Sequence, residues 1–195
     1  MGRLLLRIDR IVNADPRPRS VRELRTELRS TNRDIRLVAL ARIRKQIETT
    51  GLRDSYFALA KPLTVDADST YRWQATIIVG EFIETEPDGV WQVARHLAKL
   101  PKADIRTASS TVLLEHLLEY HTTRMAALFL AELELGDRRF ADAVASCWTF
   151  GSARTRQRAQ RINDEAKMRS NRALQPTSRA RRKTRSTQRS RATRG

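Results

Sequence analysis

The densest run of side chains able to do chemistry is Glu115-His116-Leu117-Leu118-Glu119-Tyr120-His121. On a helix, Glu115 and Glu119 share one face and His116 and Tyr120 another, because each pair is four residues apart. Carboxylates and imidazoles so placed raise the question of a metal site. A metal, however, needs ligands converging from several elements, and the third histidine, His96, falls in a separate segment. Neither the His-Glu-x-x-His spacing of zinc proteases nor the Glu-x-x-His pairs of di-iron bundles occurs. The expectation is a solvated polar face, with no metal, no cofactor and no catalytic residue. Cys147, beside Trp148 and among Phe140, Val144 and Phe150, is expected to be a buried, inert thiol. As the single cysteine it can form no internal disulfide and no cysteine-based zinc site.

A second set of residues repeats. Arg36, Arg72, Arg106 and Arg139 are separated by 36, 34 and 33 residues, spacings typical of helical-hairpin repeats. Their neighbours align. One residue earlier stand Ile35, Tyr71, Ile105 and Arg138. Three residues later stand Ala39, Ala75, Ser109 and Asp142; seven later, Ile43, Val79, Leu113 and Ser146; eleven later, Ile47, Ile83, Leu117 and Phe150. These offsets trace one helical stripe, with small residues where a neighbouring helix comes close. The fourth copy is the most degenerate, as suits a terminal repeat. The arginines could line one surface as contacts for phosphate or an acidic partner, or each could hold its adjacent turn, for example through Asp34 or Asp104. The second arrangement is expected, since repeat arginines must first secure their own loops.

The elements that position these residues are helices in pairs. Ser20-Val21-Arg22-Glu23 is a capping box that opens a helix carrying Val21, Leu24 and Leu28. Ser55 is expected to cap a short helix with Phe57 and Ala60, ended or kinked by Pro62. Thr85-Glu86-Pro87-Asp88 starts a helix that places Val90, Trp91, Ala94 and Leu97 on one face. Thr122 is expected to cap a helix carrying Met125, Leu128, Phe129 and Leu133, stopped by Gly136. Residues 71–84 read as one helix, with Gly80 marking a tight helix contact.

This pattern resembles HEAT-like (armadillo-type) repeats, in which an acidic turn leads into an arginine-bearing second helix, here Asp34-Ile35-Arg36 and Asp104-Ile105-Arg106. The resemblance covers about residues 20–151. Arg72-Trp73-Gln74-Ala75 with Gly80-Glu81-Phe82-Ile83, and Phe140-Ala141-Asp142 with Cys147-Trp148, are also similar to small bacterial HEAT-repeat proteins, a likeness that brings no activity with it. The fold it implies is an all-α, right-handed α-solenoid of about four helix pairs with a basic, disordered C-terminal tail. HEAT-like DNA glycosylases use aromatic residues to form a lesion cleft, which makes Trp73, Trp91 and Trp148 notable, with Asp142 or Glu81 as the carboxylate. No spacing demands that role, and the tryptophans are expected in the core.

Charge divides the chain further. Residues 1–50 carry 13 basic and 6 acidic groups, residues 51–153 carry 10 and 14, and residues 154–195 carry 15 and 2. The net charge of +16 therefore resides at the ends. The organisation expected is an N-terminal extension over 1–19, a repeat domain over 20–153, a basic helical extension over 154–171 and a disordered Arg-rich tail over 172–195. That tail could bind nucleic acid by counterion release or be appended coding sequence without a role. Arg22, Arg25 and Arg29 line one face of the first helix and are further candidate phosphate contacts, but Glu23 and Glu27 weaken the field and the solvated face of a capping repeat is expected. The apolar run Leu4-Leu5-Leu6 stops at Arg7, too short for a signal peptide, and no run reaches a membrane span. A soluble, cytoplasmic protein is expected, acting as a non-enzymatic scaffold for a protein partner. The alternatives are nucleic-acid binding through the tail and the N-terminal basic hairpin, or glycosylase-type repair.

Overall fold

The computed structural model describes residue 8 and residues 10–174, and every element among them is helical. In chain order these are α1 (Val21–Leu28), α2 (Arg33–Thr50), α3 (Asp54–Ala60) with a 3₁₀ turn at Lys61–Val65, α4 (Ser69–Gly80), α5 (Pro87–Lys99), α6 (Ala103–Ala108), α7 (Glu115–Glu134), α8 (Arg138–Ala145) and α9 (Ala153–Leu174). Ser109–Leu114 joins α6 to α7 as a π-helical turn. Helical backbone also covers residues 10–14. Residues 175–195, with most of the segment expected to be a disordered tail, lie outside the described residues.

The second helix of each pair contacts the next: α2 lies on α4, α4 on α6 and its π-turn, and these on α8. Among the first helices α1 contacts α3 and α5 contacts α7, while α3 meets α5 through the 3₁₀ turn that follows it. One core joins the helices and includes Leu24, Leu37, Leu40, Ile43, Tyr71, Ile78, Val90, Leu97, Leu113, Phe129 and Phe140. Each large aliphatic side chain there contributes roughly 1.5–3 kcal/mol. The small residues expected at close contacts, Ala39, Ala75 and Ser109, are fully buried. Gly80 meets the π-turn, where an added Cβ would lie 3.1 Å from Val112 Cγ1.

Side-chain caps explain where three of the second helices begin; α6, after Lys102, has none. Asn32 Oδ1 accepts from the Asp34 amide at 2.9 Å, Asp68 Oδ1 from Tyr71 at 3.1 Å and Asp137 Oδ1 from Arg139 at 2.9 Å. Ser20 and Glu23 form the capping box on α1. Gly136 ends the α7 segment with φ +77°, a conformation that other residues adopt at a cost.

Several expectations are corrected. α3 starts one residue before Ser55, with Arg53 in the cap position and no side-chain cap. The helix over 71–84 stops at Gly80, and residues 81–85 form turns. Thr122 caps nothing: α7 runs through it, and its hydroxyl donates to the Leu118 carbonyl. The break lies at His121 (φ −127°, ψ 28°), whose Nε2 is 2.8 Å from the Ile83 carbonyl. Ile35 and Phe150 are exposed although the repeat places them on the apolar stripe. The fourth arginine is out of step, since Arg36 and Arg72 stand four residues after their cap and Arg139 only two. Counted from the cap, Val144, which is fully buried, takes the place of Ala39 and Ala75.

Both flanks pack on this core. Ile8 and Val12 are buried, and the Arg19 amide donates to Gln46 Oε1 at 2.9 Å. α9 lies against α7 and α8 through Ala159, Ile162 and Ala166, all buried. Arg169 adds a hydrogen bond to the Leu133 carbonyl at 3.0 Å.

Candidate functional site

The arginine column lies along the junctions between pairs. Arg72 is only 4% exposed; it pairs with Asp104 of the next pair and donates to the Ala67 carbonyl at 2.8 Å and to the Asp66 carbonyl. Arg36 pairs with Asp66 and stacks over the Tyr71 ring, 4.0 Å from its centroid. Arg33 pairs with Asp68, whose carboxyl is held at about 2 by that hydrogen bond, with help from the capped amides. Arg106 donates to the carbonyls of Leu100 and Pro101 at 2.9 and 2.6 Å. Arg139 is exposed and reaches only the Lys99 carbonyl, at 3.5 Å. The carboxylate partners thus come from the following pair, Asp66 for Arg36 and Asp104 for Arg72, and not from the arginine's own turn.

The candidates on α1 differ. Arg22, Arg25 and Arg29 are exposed and have no carboxylate partner among the described residues. Their acidic neighbours point elsewhere. Glu23 is bound to Ser20 and Arg17, and its carboxyl is held at about 2, chiefly by the Ser20 amide. Glu27 accepts from Arg42 at 2.8 Å.

The Glu115–His121 run spreads out on the structure. Glu115 is buried and accepts from the Trp148 amide at 2.9 Å; burial pushes its carboxyl pKa up. His116 and Tyr120 stack with centroids 6.2 Å apart and border a cavity of about 300 Å³ with Ile77, Gly80 and Val112. Among the described residues, no group of three or more His, Cys, Asp or Glu side chains could hold a metal. Cys147 is buried, and desolvation pushes its thiol up to about 12.

The tryptophans occupy three different environments. Trp91 is in the core, 4.8 Å from Phe129 and 5.9 Å from Phe140 between centroids. Trp73 is half-buried. Trp148 is 73% exposed, which corrects the expected core position. α8 ends at Ala145, so the chain has left helical register before it reaches Trp148.

One feature escaped the sequence reading. A cleft of about 500 Å³ opens where α7 breaks and α9 begins. Its lining includes Arg124, Arg154, Arg158, Thr123, Thr155 and Tyr120, with Glu119 as the one carboxylate. Arg124 pairs with Asp88, Arg158 donates to Thr123 Oγ1, and Arg154 stands in the open. The basic run Arg154–Arg161 was visible in the sequence, but its juxtaposition with the residues around His121, more than thirty positions away, was not.

Among the described residues no helix is long and apolar enough to cross a membrane. Comparison of the chain with protein-family models, with curated proteins and with solved structures finds no match.

Proposed function

We propose that the chain is a non-enzymatic binding scaffold: HEAT-like helix pairs stacked as a right-handed α-solenoid, presenting a surface to a protein partner in the cytoplasm. The observation that carries this reading is the outer face of α7 beyond its break. Leu128, Ala131 and Leu135, at offsets of three and seven residues on one face, are exposed there, Leu135 at 70%. An aliphatic strip on a helix whose other face is fully packed suits a partner segment that presents aliphatic side chains of its own. The inter-pair arginines support the reading as well, because they make the stacked pairs a stiff platform. The test is capture from cell extract by the full chain and by its Leu128→Glu/Leu135→Glu variant. A defined set of proteins should be held by the first and lost by the second. Identical protein sets, with nucleic acid retained by both, would remove the proposal.

A second reading, nucleic-acid binding through the N-terminal basic hairpin and residues 172–195, is favoured by the unpaired guanidiniums of Arg22, Arg25 and Arg29. Loss of oligonucleotide affinity in an Arg22→Ala/Arg25→Ala/Arg29→Ala variant is its check.

A further inference from the structure

Trp148 is an unusual residue to leave in water, and its backbone is fixed from two sides. Its amide donates to Glu115 at 2.9 Å, and the preceding carbonyl, of Cys147, accepts from the buried Asn163 Nδ2 at 2.7 Å. The ring is therefore presented by an ordered turn. Among the described residues nothing covers it, although so large an apolar surface favours burial.

The turn leads into the basic cleft. Glu115 is one helical turn from Glu119, which lines the cleft, and a Cβ added at Gly151 would lie 3.7 Å from Glu119 Cγ. Ser152 and Thr155, also in the lining, open α9, where the Thr155 amide donates to Ser152 Oγ at 3.2 Å. Trp148 to Ser152 is four residues, at most ~14 Å of chain. One exposed indole is thus held within four residues of a cleft lined by guanidiniums and hydroxyl donors.

We propose that this is a single-stranded nucleic-acid site, in which Arg154 and Arg158 each hold a backbone phosphate and Trp148 stacks on a neighbouring base. Guanidinium forks match phosphate oxygens, and the hydroxyls of Thr123 and Thr155 can donate to the same phosphates. A base can meet the indole face only if it is unstacked, which selects single strands over duplex. Glu119 restricts access at one edge and leaves the cleft net positive. The site is separate from the aliphatic strip and from the α1 arginines, and it stands whether or not a protein partner binds.

The test is fluorescence anisotropy of labelled oligothymidylate and oligouridylate across a salt series, with the full chain throughout. Arg154→Ala/Arg158→Ala should lower the slope of log K against log salt by about 1.4, at roughly 0.7 per phosphate contact. Trp148→Ala should weaken binding by roughly 5- to 100-fold with the slope unchanged. The oligothymidylate and oligouridylate arms tell DNA from RNA. Lys61→Ala/Lys102→Ala, at two exposed lysines far from the cleft in sequence, is the control for bulk charge, and the substituted residues are exposed or half-exposed, so folding is checked by circular dichroism alone. If Trp148→Ala leaves affinity unchanged, or if the lysine control lowers the slope as much as the cleft variant, the proposal is overturned. Full competition by inorganic phosphate at equal concentration would also overturn it, by reducing the site to a free-anion pocket.

Discussion

At the scale of single residues, the groups with the most reactive chemistry are fixed by burial into structural roles. Glu115 accepts the Trp148 amide from inside the fold, and desolvation raises its pKa. A carboxyl raised in the folded state binds its proton more tightly there than in the unfolded chain. Folding stability attributable to Glu115 should therefore be greatest below its unfolded value and decline as pH rises through the raised one. Glu115→Gln keeps an acceptor for the amide and removes the buried charge. At neutral pH it should melt higher than the parent by ~2–4 °C, about 1 kcal/mol, and the parent should lose that deficit on acidification. A variant that melts lower at every pH would mean that the charge itself holds the turn. Cys147 gives a simpler prediction. With its thiol pushed up to about 12, it should not react with a disulfide-exchange reagent at mildly alkaline pH while the protein is folded, and should react fully in denaturant. Rapid labelling of the native chain would place the thiol at the surface.

At the scale of elements, Arg72 ties two helix pairs together. Its removal leaves the carbonyls of Asp66 and Ala67 without a donor and Asp104 without its partner. Arg72→Ala should cost about 3 kcal/mol in a urea melt. Asp104→Asn, at an exposed carboxylate, should cost under about 1 kcal/mol. Equal losses would show that the ion pair, and not the carbonyl anchoring, is what matters. Arg72 also marks how far the sequence could be read. Period and stripe were legible because a helix writes its buried face into offsets of three, four and seven residues, and Ala39, Ala75, Ile43, Val79 and Leu113 are all buried as expected. The capping box was legible because its residues are neighbours in the chain. The carboxylate partners were not: Asp66 and Asp104 lie about 30 residues from their arginines, and only stacking brings them together. The π-turn was equally hidden. It depends on buried hydroxyl contacts made by Ser109 to the Ala94 carbonyl at 2.8 Å and by Ser110 to the Ala143 carbonyl at 2.6 Å. Trp148 was misplaced because hydrophobicity predicts burial only while a helix continues, and α8 stops before it.

At the scale of the whole molecule, the question is where phosphate affinity resides. Residues 172–195 carry nine basic groups and no acidic ones, so a chain ending at Asn171 keeps +7 of the +16 charge. The truncation removes none of the side chains that pack α9, since Ala159, Ile162 and Ala166 all precede it. Counterion release makes the salt slope a count of phosphate contacts, whatever the absolute affinity. Were all nine tail cations engaged, truncation would lower the slope by roughly 6 on a single strand, at about 0.7 each. The paired arginines of the ladder can contribute little to what remains, because releasing Arg72 from Asp104 and its carbonyls would unfasten the stack. The unpaired cations can contribute: Arg154 and Arg158 in the cleft, and Arg22, Arg25 and Arg29 on α1. The chain ending at Asn171 should therefore bind oligonucleotides more weakly than the full chain and keep a residual slope of about 1.4–3.5, the range for two to five contacts. The measurement is the same anisotropy salt series on both chains. A slope near zero would assign all the affinity to residues 172–195 and leave the folded helices as a protein scaffold alone. A slope equal to the full chain's would mean that the last residues touch no phosphate and that the folded surface does all the holding.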